Sequence, residues 1–69
     1  MNGLREGKGI TYWEDGDRYE GDYRNDKREG KGIYYYKSGD REMGDYYNGK
    51  KIGKHVMLTR NGEVKINNY

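Results

Sequence analysis

The chain has 69 residues, no cysteine and nearly balanced charges, with 14 Lys and Arg against 12 Asp and Glu. This length allows at most one small domain or part of a larger one, and without cysteine neither disulfides nor a thiolate zinc site can stabilise it. Nine tyrosines and one tryptophan argue against disorder, which favours few aromatic residues and a high net charge.

The sequence repeats itself with a step of 23 residues. Tyr23, Tyr46 and Tyr69 mark this step, and glycines, asparagines and aliphatic residues recur at the same spacing. The whole chain, 1–69, is therefore predicted to be one repeat array without a separate domain or linker. Its three units are predicted at about residues 2–24, 25–47 and 48–69.

Each unit is predicted to fold as two strands joined by a short turn. In the first unit, the β-favouring segment 9–13 is followed by the turn 14–16 and by a second β-favouring segment, 17–23. Glycine is the third turn residue in every unit, which is typical of a three-residue loop ending in a left-handed glycine. Helices are excluded, because the chain has no alanine and no glycine-free run after Leu4 exceeds eight residues.

The turn also predicts the register, in which Trp13 opposes Asp17 and Thr11 opposes Tyr19. Tyrosine, tryptophan and glycine then share one face of the sheet, which we call the aromatic face. The other face, called here the aliphatic face, receives Ile10, Tyr12, Ile33, Tyr35, Met43, Val56, Leu58, Val64 and Ile66.

The segment 19–32 resembles the MORN (membrane occupation and recognition nexus) repeat. It reads Tyr-Glu-Gly-Asp-Tyr-Arg-Asn-Asp-Lys-Arg-Glu-Gly-Lys-Gly, against a family pattern of Tyr-x-Gly-x-Trp-x-Asn-Gly-x-x-x-Gly-x-Gly. Tyr23 stands at the usual tryptophan and Asp26 at a usual glycine. Glu42 and His55 depart further, taking the places of a repeat tyrosine and a repeat glycine, which weakens any aromatic groove near the C-terminus.

The resemblance implies an all-β fold, an elongated and twisted single-layer antiparallel meander of about six strands in three stacked β-hairpins. It also implies one aromatic, concave surface. Members of this family mostly serve as scaffolding or binding arrays in cytoskeletal, ciliary and membrane-associated assemblies. Phosphoinositide binding by the family is often proposed and is disputed.

The aromatic face has two interpretations. Its rings either form the thin core of a single-layer sheet or line a groove for an extended or helical peptide, in which tyrosines supply interface energy. The residues of this predicted partner site are Trp13, Tyr19, Tyr23, Tyr34, Tyr36 and Tyr46.

Basic residues concentrate in the segments that precede the first strand of each unit, where nine Lys and Arg outnumber three acidic residues. They either prevent edge-to-edge aggregation or attract an anionic partner, such as an acidic protein surface or a phosphoinositide membrane. The residues of this predicted basic edge are Lys27, Arg28, Lys31, Lys50, Lys51 and Lys54.

Catalytic and metal sites are not expected. His55 is the only histidine and replaces a repeat glycine, so a structural or surface role is predicted for it, and Ser38 is the only serine. Without a nucleophile and base pair, or a metal-ligand spacing, the chain is predicted to be no enzyme and to need no cofactor.

These observations together predict a non-catalytic protein-binding or scaffolding module, cytoplasmic and associated with the cytoskeleton or with membranes. The alternative is an acidic-membrane or phosphoinositide binding module, and cell-wall carbohydrate binding ranks lower because only Trp13 is available. Self-association is expected through the terminal strands or the aliphatic face. Nucleic acid is not an expected partner, because the aromatic face lacks interleaved basic residues.

Overall fold

A computed structural model describes residues 6–69, which form one six-stranded antiparallel sheet with the strands in chain order. The predicted all-β meander of three hairpins is therefore confirmed. Among residues 6–69 there is no helix long and apolar enough to cross a membrane. The strands are β1 (Gly7–Tyr12), β2 (Arg18–Arg24), β3 (Lys27–Tyr35), β4 (Arg41–Tyr47), β5 (Lys50–Leu58) and β6 (Val64–Asn68).

The turn within each hairpin has the predicted geometry. In the first, the Gly16 N–H donates to the Trp13 carbonyl at 3.1 Å, and the Trp13 N–H donates to the Asp17 carbonyl at 3.0 Å. Gly16 has a φ of 102°, a left-handed conformation that glycine adopts without steric strain. Thr11 consequently pairs with Tyr19, and the predicted register is confirmed.

The connections between hairpins are shorter than the sequence indicated. Asn25-Asp26 and Asn48-Gly49 are two-residue turns in which both residues have positive φ, the type I′ geometry that matches the twist of the flanking strands. Strands β3 and β5 therefore begin immediately afterwards, at Lys27 and Lys50. The prediction that the basic segments precede the strands is wrong, because such tight turns leave those residues inside the strands.

Strands β3 and β5 each contain a bulge at a left-handed glycine, Gly30 with a φ of 95° and Gly53 with a φ of 70°. The bulge shifts the pairing with the preceding strand, so that Arg28 lies opposite Tyr23. The same shift one repeat later places Lys51 on the aromatic face.

The core lies on the aromatic face alone. Tyr19, Glu42 and His55 are fully buried there, and Tyr46 is nearly so. The aliphatic face has no covering layer among residues 6–69, and Ile66 on it is 52% exposed. The shortest dimension of the molecule, 15 Å, agrees with a single sheet that carries side chains on both faces.

Candidate functional site

The aromatic face contains an inner row of rings that runs across the sheet and is buried except at its last member. Neighbouring rings meet edge to face, with centroids 5.0 to 5.4 Å apart, a favourable geometry for aromatic pairs. We call this set the inner row: Tyr23, Tyr19, Tyr46 and His55, which are buried, and Tyr69 at its end, which is 55% exposed. Because Tyr19, Tyr23 and Tyr46 are buried, three of the six predicted partner-site residues form the core and leave little surface for a ligand.

The other three predicted residues form an outer row. Trp13 stacks on Tyr34 at a centroid distance of 5.3 Å, and Tyr34 contacts Tyr36 at 4.8 Å. Trp13 is 38% exposed, whereas Tyr34 and Tyr36 are half-buried. The outer row is therefore an aromatic strip that is partly buried and partly exposed to solvent.

Tyr34 is fixed in the outer row by its hydroxyl group, which donates to Asp17 Oδ2 at 2.9 Å. Burial, together with this hydrogen bond to a carboxylate, raises the pKa of Tyr34 to about 12. The same carboxylate accepts the backbone N–H of Lys37 at 2.9 Å and so ties the first hairpin to the second. Tyr34 is therefore held in a fixed position in the outer row.

Arg28 lies between the two rows. Its Nη2 donates to the Gly49 carbonyl at 2.6 Å, and its guanidinium carbon lies 5.2 Å from the centroid of the Tyr46 ring, within cation–π range. Beside it is a hollow of about 200 Å³, which combines one exposed aromatic ring with charged groups of both signs. The hollow is lined by Trp13, Tyr23, Asp26, Lys27, Arg28 and Gly49.

Lys51 occupies the position of Arg28 one repeat later and reaches a buried carboxylate. Its Nζ lies 3.3 Å from Glu42 Oε1, and the Tyr69 hydroxyl donates to Glu42 Oε2 at 2.8 Å. Burial raises the pKa of the Glu42 carboxyl, but the Tyr69 hydrogen bond and the Lys51 charge outweigh it and hold that pKa below its usual value. Glu42 is therefore an ionised group inside the core.

His55 completes this cluster, and the structural role predicted for it agrees with its burial. Its Nδ1 lies 3.0 Å from Glu42 Oε2, but the contact lacks the geometry of a hydrogen bond. Its Nε2 donates to the Asp45 carbonyl at 2.8 Å, because a carbonyl can only accept. Both ring nitrogens thus face protein groups, and the imidazole offers no base to a ligand at the surface.

Sequence analysis missed Glu42 and His55 as a pair, although a signal was present. Both residues depart from the repeat, and the strands that carry them are neighbours in the sheet. Two departures that lie diagonally to each other on adjacent strands indicate a compensating exchange. Within residues 6–69, however, no three His, Asp or Glu side chains are grouped so as to hold a metal ion.

The predicted basic edge is divided between the two faces of the sheet. Arg28 and Lys51 are half-buried on the aromatic face, so they are not part of an open basic edge. The exposed Lys31 Nζ lies 3.6 Å from Asp45 Oδ1, and the Lys27 Nζ donates to Asn48 Oδ1 at 3.0 Å. Strand register places the remaining members on the side of the aliphatic face: Lys27, Lys31, Lys50 and Lys54.

The aliphatic face has a hollow of its own, larger than the one beside Arg28. It measures about 580 Å³ and lies over the glycines at the middle of the sheet. Ile33, Met43 and Val56 supply its apolar wall, and its charged lining residues are Glu20, Lys31, Asp45 and Lys54. This face therefore combines exposed apolar side chains with lysines.

A comparison of the sequence with models of protein families relates this chain to known proteins. The family model described as MORN repeat matches residues 1–18 and 19–41, which together make up more than half of the chain. The second match begins at Tyr19, so it runs from the second strand of one hairpin into the first strand of the next. A search of curated proteins found no match.

Proposed function

The chain belongs to the MORN repeat family, and on that premise we propose that it is a non-catalytic module that binds a protein partner through its aromatic face. One observation supports this role above the others: Trp13 is stacked on Tyr34 and remains 38% exposed beside the hollow next to Arg28. Tryptophan, tyrosine and arginine are the residues that most often dominate binding energies at protein interfaces.

The partner that fits this surface is a peptide segment, extended or helical, with an apolar side chain that packs on the exposed Trp13 ring at the hollow. The rings of the outer row are already held by stacking and by the hydrogen bond from Tyr34 to Asp17. A rigid aromatic surface loses little conformational entropy on binding, which favours affinity. We further propose that this scaffolding module acts in the cytoplasm, in assemblies at the cytoskeleton or at membranes.

Trp13 gives this proposal a direct test, since it is the only tryptophan of the chain. Peptides would be selected from a displayed library on the wild-type protein and titrated while Trp13 fluorescence is followed. We expect binding to shift the Trp13 emission and Tyr34→Ala to weaken the affinity about tenfold or more. Tyr47→Ala is the matched control, because Tyr47 is a 61% exposed tyrosine on the opposite face.

Two results would contradict the proposal. One is that the selected peptides leave the Trp13 emission unchanged, and the other is that Tyr34→Ala binds them as tightly as the wild type does. A loss of affinity in Tyr47→Ala instead would move the binding site to the aliphatic face. Circular dichroism of each variant verifies that the sheet is retained.

The aliphatic face supports a second candidate, binding to acidic membrane surfaces. Lys27, Lys31, Lys50 and Lys54 lie on the side where Met43 is 40% exposed and Ile52 44% exposed. Basic residues beside exposed apolar ones suit the headgroup region of an acidic bilayer, where each lysine contributes about 1 kcal/mol.

Vesicle co-sedimentation tests this second candidate. Phosphatidylcholine vesicles with and without a phosphoinositide would be compared for the wild type and for the variant with Lys27, Lys31, Lys50 and Lys54 changed to Ala. We expect binding only to the acidic vesicles and its loss in that variant. A control with Lys37→Ala and Arg60→Ala, at the hairpin turns, should bind as the wild type does. Equal sedimentation of wild type and four-lysine variant would exclude the role.

A further inference from the structure

Strand β1 has the backbone conformation of a bulge at Gly7, although no strand among the described residues pairs with the outer side of β1. Gly7 has a φ of 76°, close to the values of its repeat equivalents Gly30 and Gly53. In β3 and β5 this glycine lies where the strand shifts its register against the preceding strand. On that side of β1 the described residues provide no strand, so the edge already has the shape that receives one.

The free backbone groups of the two outer strands can be identified from their inner hydrogen bonds. The Trp13 N–H donates to the carbonyl of Asp17, the residue before β2, and Tyr69 exchanges both of its backbone hydrogen bonds with Gly53. Backbone groups alternate in direction along a strand, so those of Ile10 in β1 and Ile66 in β6 point away from the sheet.

Repeating the internal register by one more step of 23 residues brings these edges together. Within the chain, β4 pairs with β5 through Met43 and Val56. One step later the same positions are Ile66 and, in a second copy, Ile10. Both isoleucines are 52% exposed and both lie on the aliphatic face, so the pair would continue its apolar surface without a change of side.

We propose that β6 of one copy of this chain pairs with β1 of a second copy in that register, so that the two sheets form one continuous meander. For the 69-residue chain the pairing is head to tail: however many copies have joined, the assembly still presents one free β1 at one end and one free β6 at the other. Association is therefore open-ended rather than limited to dimers. This proposal concerns the strand edges and is independent of ligand binding by the aromatic face.

The last hairpin turn supports the same junction. Arg60 covers Gly39 of the preceding turn, and its N–H donates to Asp40 Oδ1 at 2.8 Å. Gly62 is the equivalent of Gly39, and nothing lies within 4 Å of the position where its Cβ would be. The residue of a second copy that would cover Gly62 is Glu14, by the same step of 23 residues.

Charge weakens this junction in a way that can be tested. The two internal turns are covered by basic residues, Lys37 and Arg60. The junction between copies instead brings Glu14 next to Glu63, which occupies the position of Asp40. Two carboxylates at this place repel each other, and salt reduces the repulsion. Glu14→Lys should therefore tighten association about two- to fivefold, the range typical of one surface ion pair.

Sedimentation velocity over a concentration series tests the proposal with the 69-residue chain. We expect the weight-average mass to rise continuously with concentration and to pass twice the monomer mass of 8.2 kDa without a plateau at the dimer. Ile66→Pro removes an N–H that points away from β5, so the fold is retained and β6 is blocked. Ile10→Pro blocks β1 in the same way.

Mixing the two blocked variants distinguishes head-to-tail pairing from its alternatives. Each variant alone should remain monomeric, and an equal mixture should give only a one-to-one dimer through the free β1 of one and the free β6 of the other. Homodimers of either variant alone would show a symmetric edge pairing and overturn the proposal. Ile66→Lys serves as a second block if Ile66→Pro loses its β-sheet circular dichroism signal.

A face-to-face dimer would also overturn the proposal. Met43→Lys changes the exposed centre of the aliphatic face without touching either outer strand, so it should associate as the wild type does. Loss of association in Met43→Lys but not in Ile66→Pro would assign self-association to the aliphatic face. A wild-type chain that stays monomeric at millimolar concentration and high salt would exclude both modes.

Discussion

Glu42 and His55 contact each other at the centre of the aromatic face, with 3.0 Å between the carboxylate Oε2 and the imidazole Nδ1. One repeat earlier the same two positions hold Tyr19 and Gly32. The Tyr19 ring lies directly on Gly32, which leaves no room there for a larger residue. The second junction between repeats therefore achieves with a carboxylate and an imidazole what the first achieves with a ring and a glycine.

The exchange also preserves a hydrogen bond. The Tyr19 hydroxyl donates to the Asp22 carbonyl at 3.2 Å, and the His55 Nε2 donates to the equivalent Asp45 carbonyl at 2.8 Å. An unpaired buried carbonyl is unfavourable, so a replacement for the tyrosine must bring its own donor. The imidazole supplies that donor from the neighbouring strand.

This equivalence predicts that the two residues can be exchanged only together. His55→Gly opens a cavity beside Glu42 and removes the donor to the Asp45 carbonyl, which should lower the free energy of unfolding by about 3 kcal/mol. Glu42→Tyr alone places a ring against the imidazole and should also be strongly destabilising. The double variant restores the arrangement of the first junction and should be more stable than either single variant.

A double-mutant cycle by urea denaturation measures the coupling. We expect the two substitutions to compensate each other by about 1–3 kcal/mol, as residues in direct contact commonly do. Additive effects would show that the two positions are independent. The mirror exchange, Tyr19→Glu with Gly32→His, is a further control at the first junction.

Acid should destabilise the protein through Glu42. The pKa of this carboxyl is lower in the folded protein than its ordinary value of 4.5, so it contributes stability that is fully present above that value. The contribution is lost as the pH falls through the folded pKa. Urea midpoints measured from neutral to acid pH should therefore decline below about 4.5.

Two variants identify the group responsible for that decline. Glu42→Gln should start from a lower stability and decline less with acid, because the titrating group is gone. Glu63→Gln removes an exposed carboxylate at the last hairpin turn and should follow the wild-type profile. If Glu42→Gln retained the full decline, another carboxylate would be the cause.

Alkali should act on the tyrosines of the aromatic face. Burial is the main cause that raises the pKa values of Tyr19, Tyr34 and Tyr46 to about 12. The unfolded chain ionises these groups near 10, so folding stability should fall as the pH rises above 10. Phenolate absorbance, recorded together with circular dichroism, should show these groups ionising as the sheet unfolds. Their ionisation with an intact sheet would contradict the burial.

Of the two glycines at the same repeat position, Gly9 and Gly32, Gly32 should be the less replaceable. A Cβ there would overlap the fully buried Tyr19 ring, so Gly32→Ala should destabilise the protein by about 2 kcal/mol. Gly9 is the matched control one repeat earlier, where the nearest atom to an added Cβ is Tyr23 Cδ1 at 3.2 Å. Thermal unfolding should show a clearly smaller effect for Gly9→Ala, and equal effects would mean that Tyr19 can move aside.

The strand pairs and hairpin turns could be predicted from the sequence, because both depend on local chemistry. A glycine as third residue of a short turn determines which residues face each other, so Thr11 opposite Tyr19 followed directly. The division of the rings could not be predicted in this way. Tyr19 and Tyr34 are the same residue type on the same face, and only the arrangement of neighbouring rings buries the first and half-exposes the second.

The positions of the basic residues depended on a feature that simple alternation does not include. The bulges at Gly30 and Gly53 shift the pairing of β3 and β5, and this places Arg28 and Lys51 among the rings. The Asn25-Asp26 turn could have been recognised from its residue types, which favour left-handed conformations. Recognising this turn would have placed Lys27 and Arg28 inside strand β3.

The sequential strand order has a consequence for how the chain folds. Every strand pairs only with its neighbours in the chain, so no pairing requires a loop longer than a single turn to close. Such local topology favours rapid folding for a β protein, and it allows the first hairpin to form at any of the three repeats. Amide hydrogen exchange should be slowest in β3 and β4 and fastest in the outer strands, as expected of an array that opens from its ends.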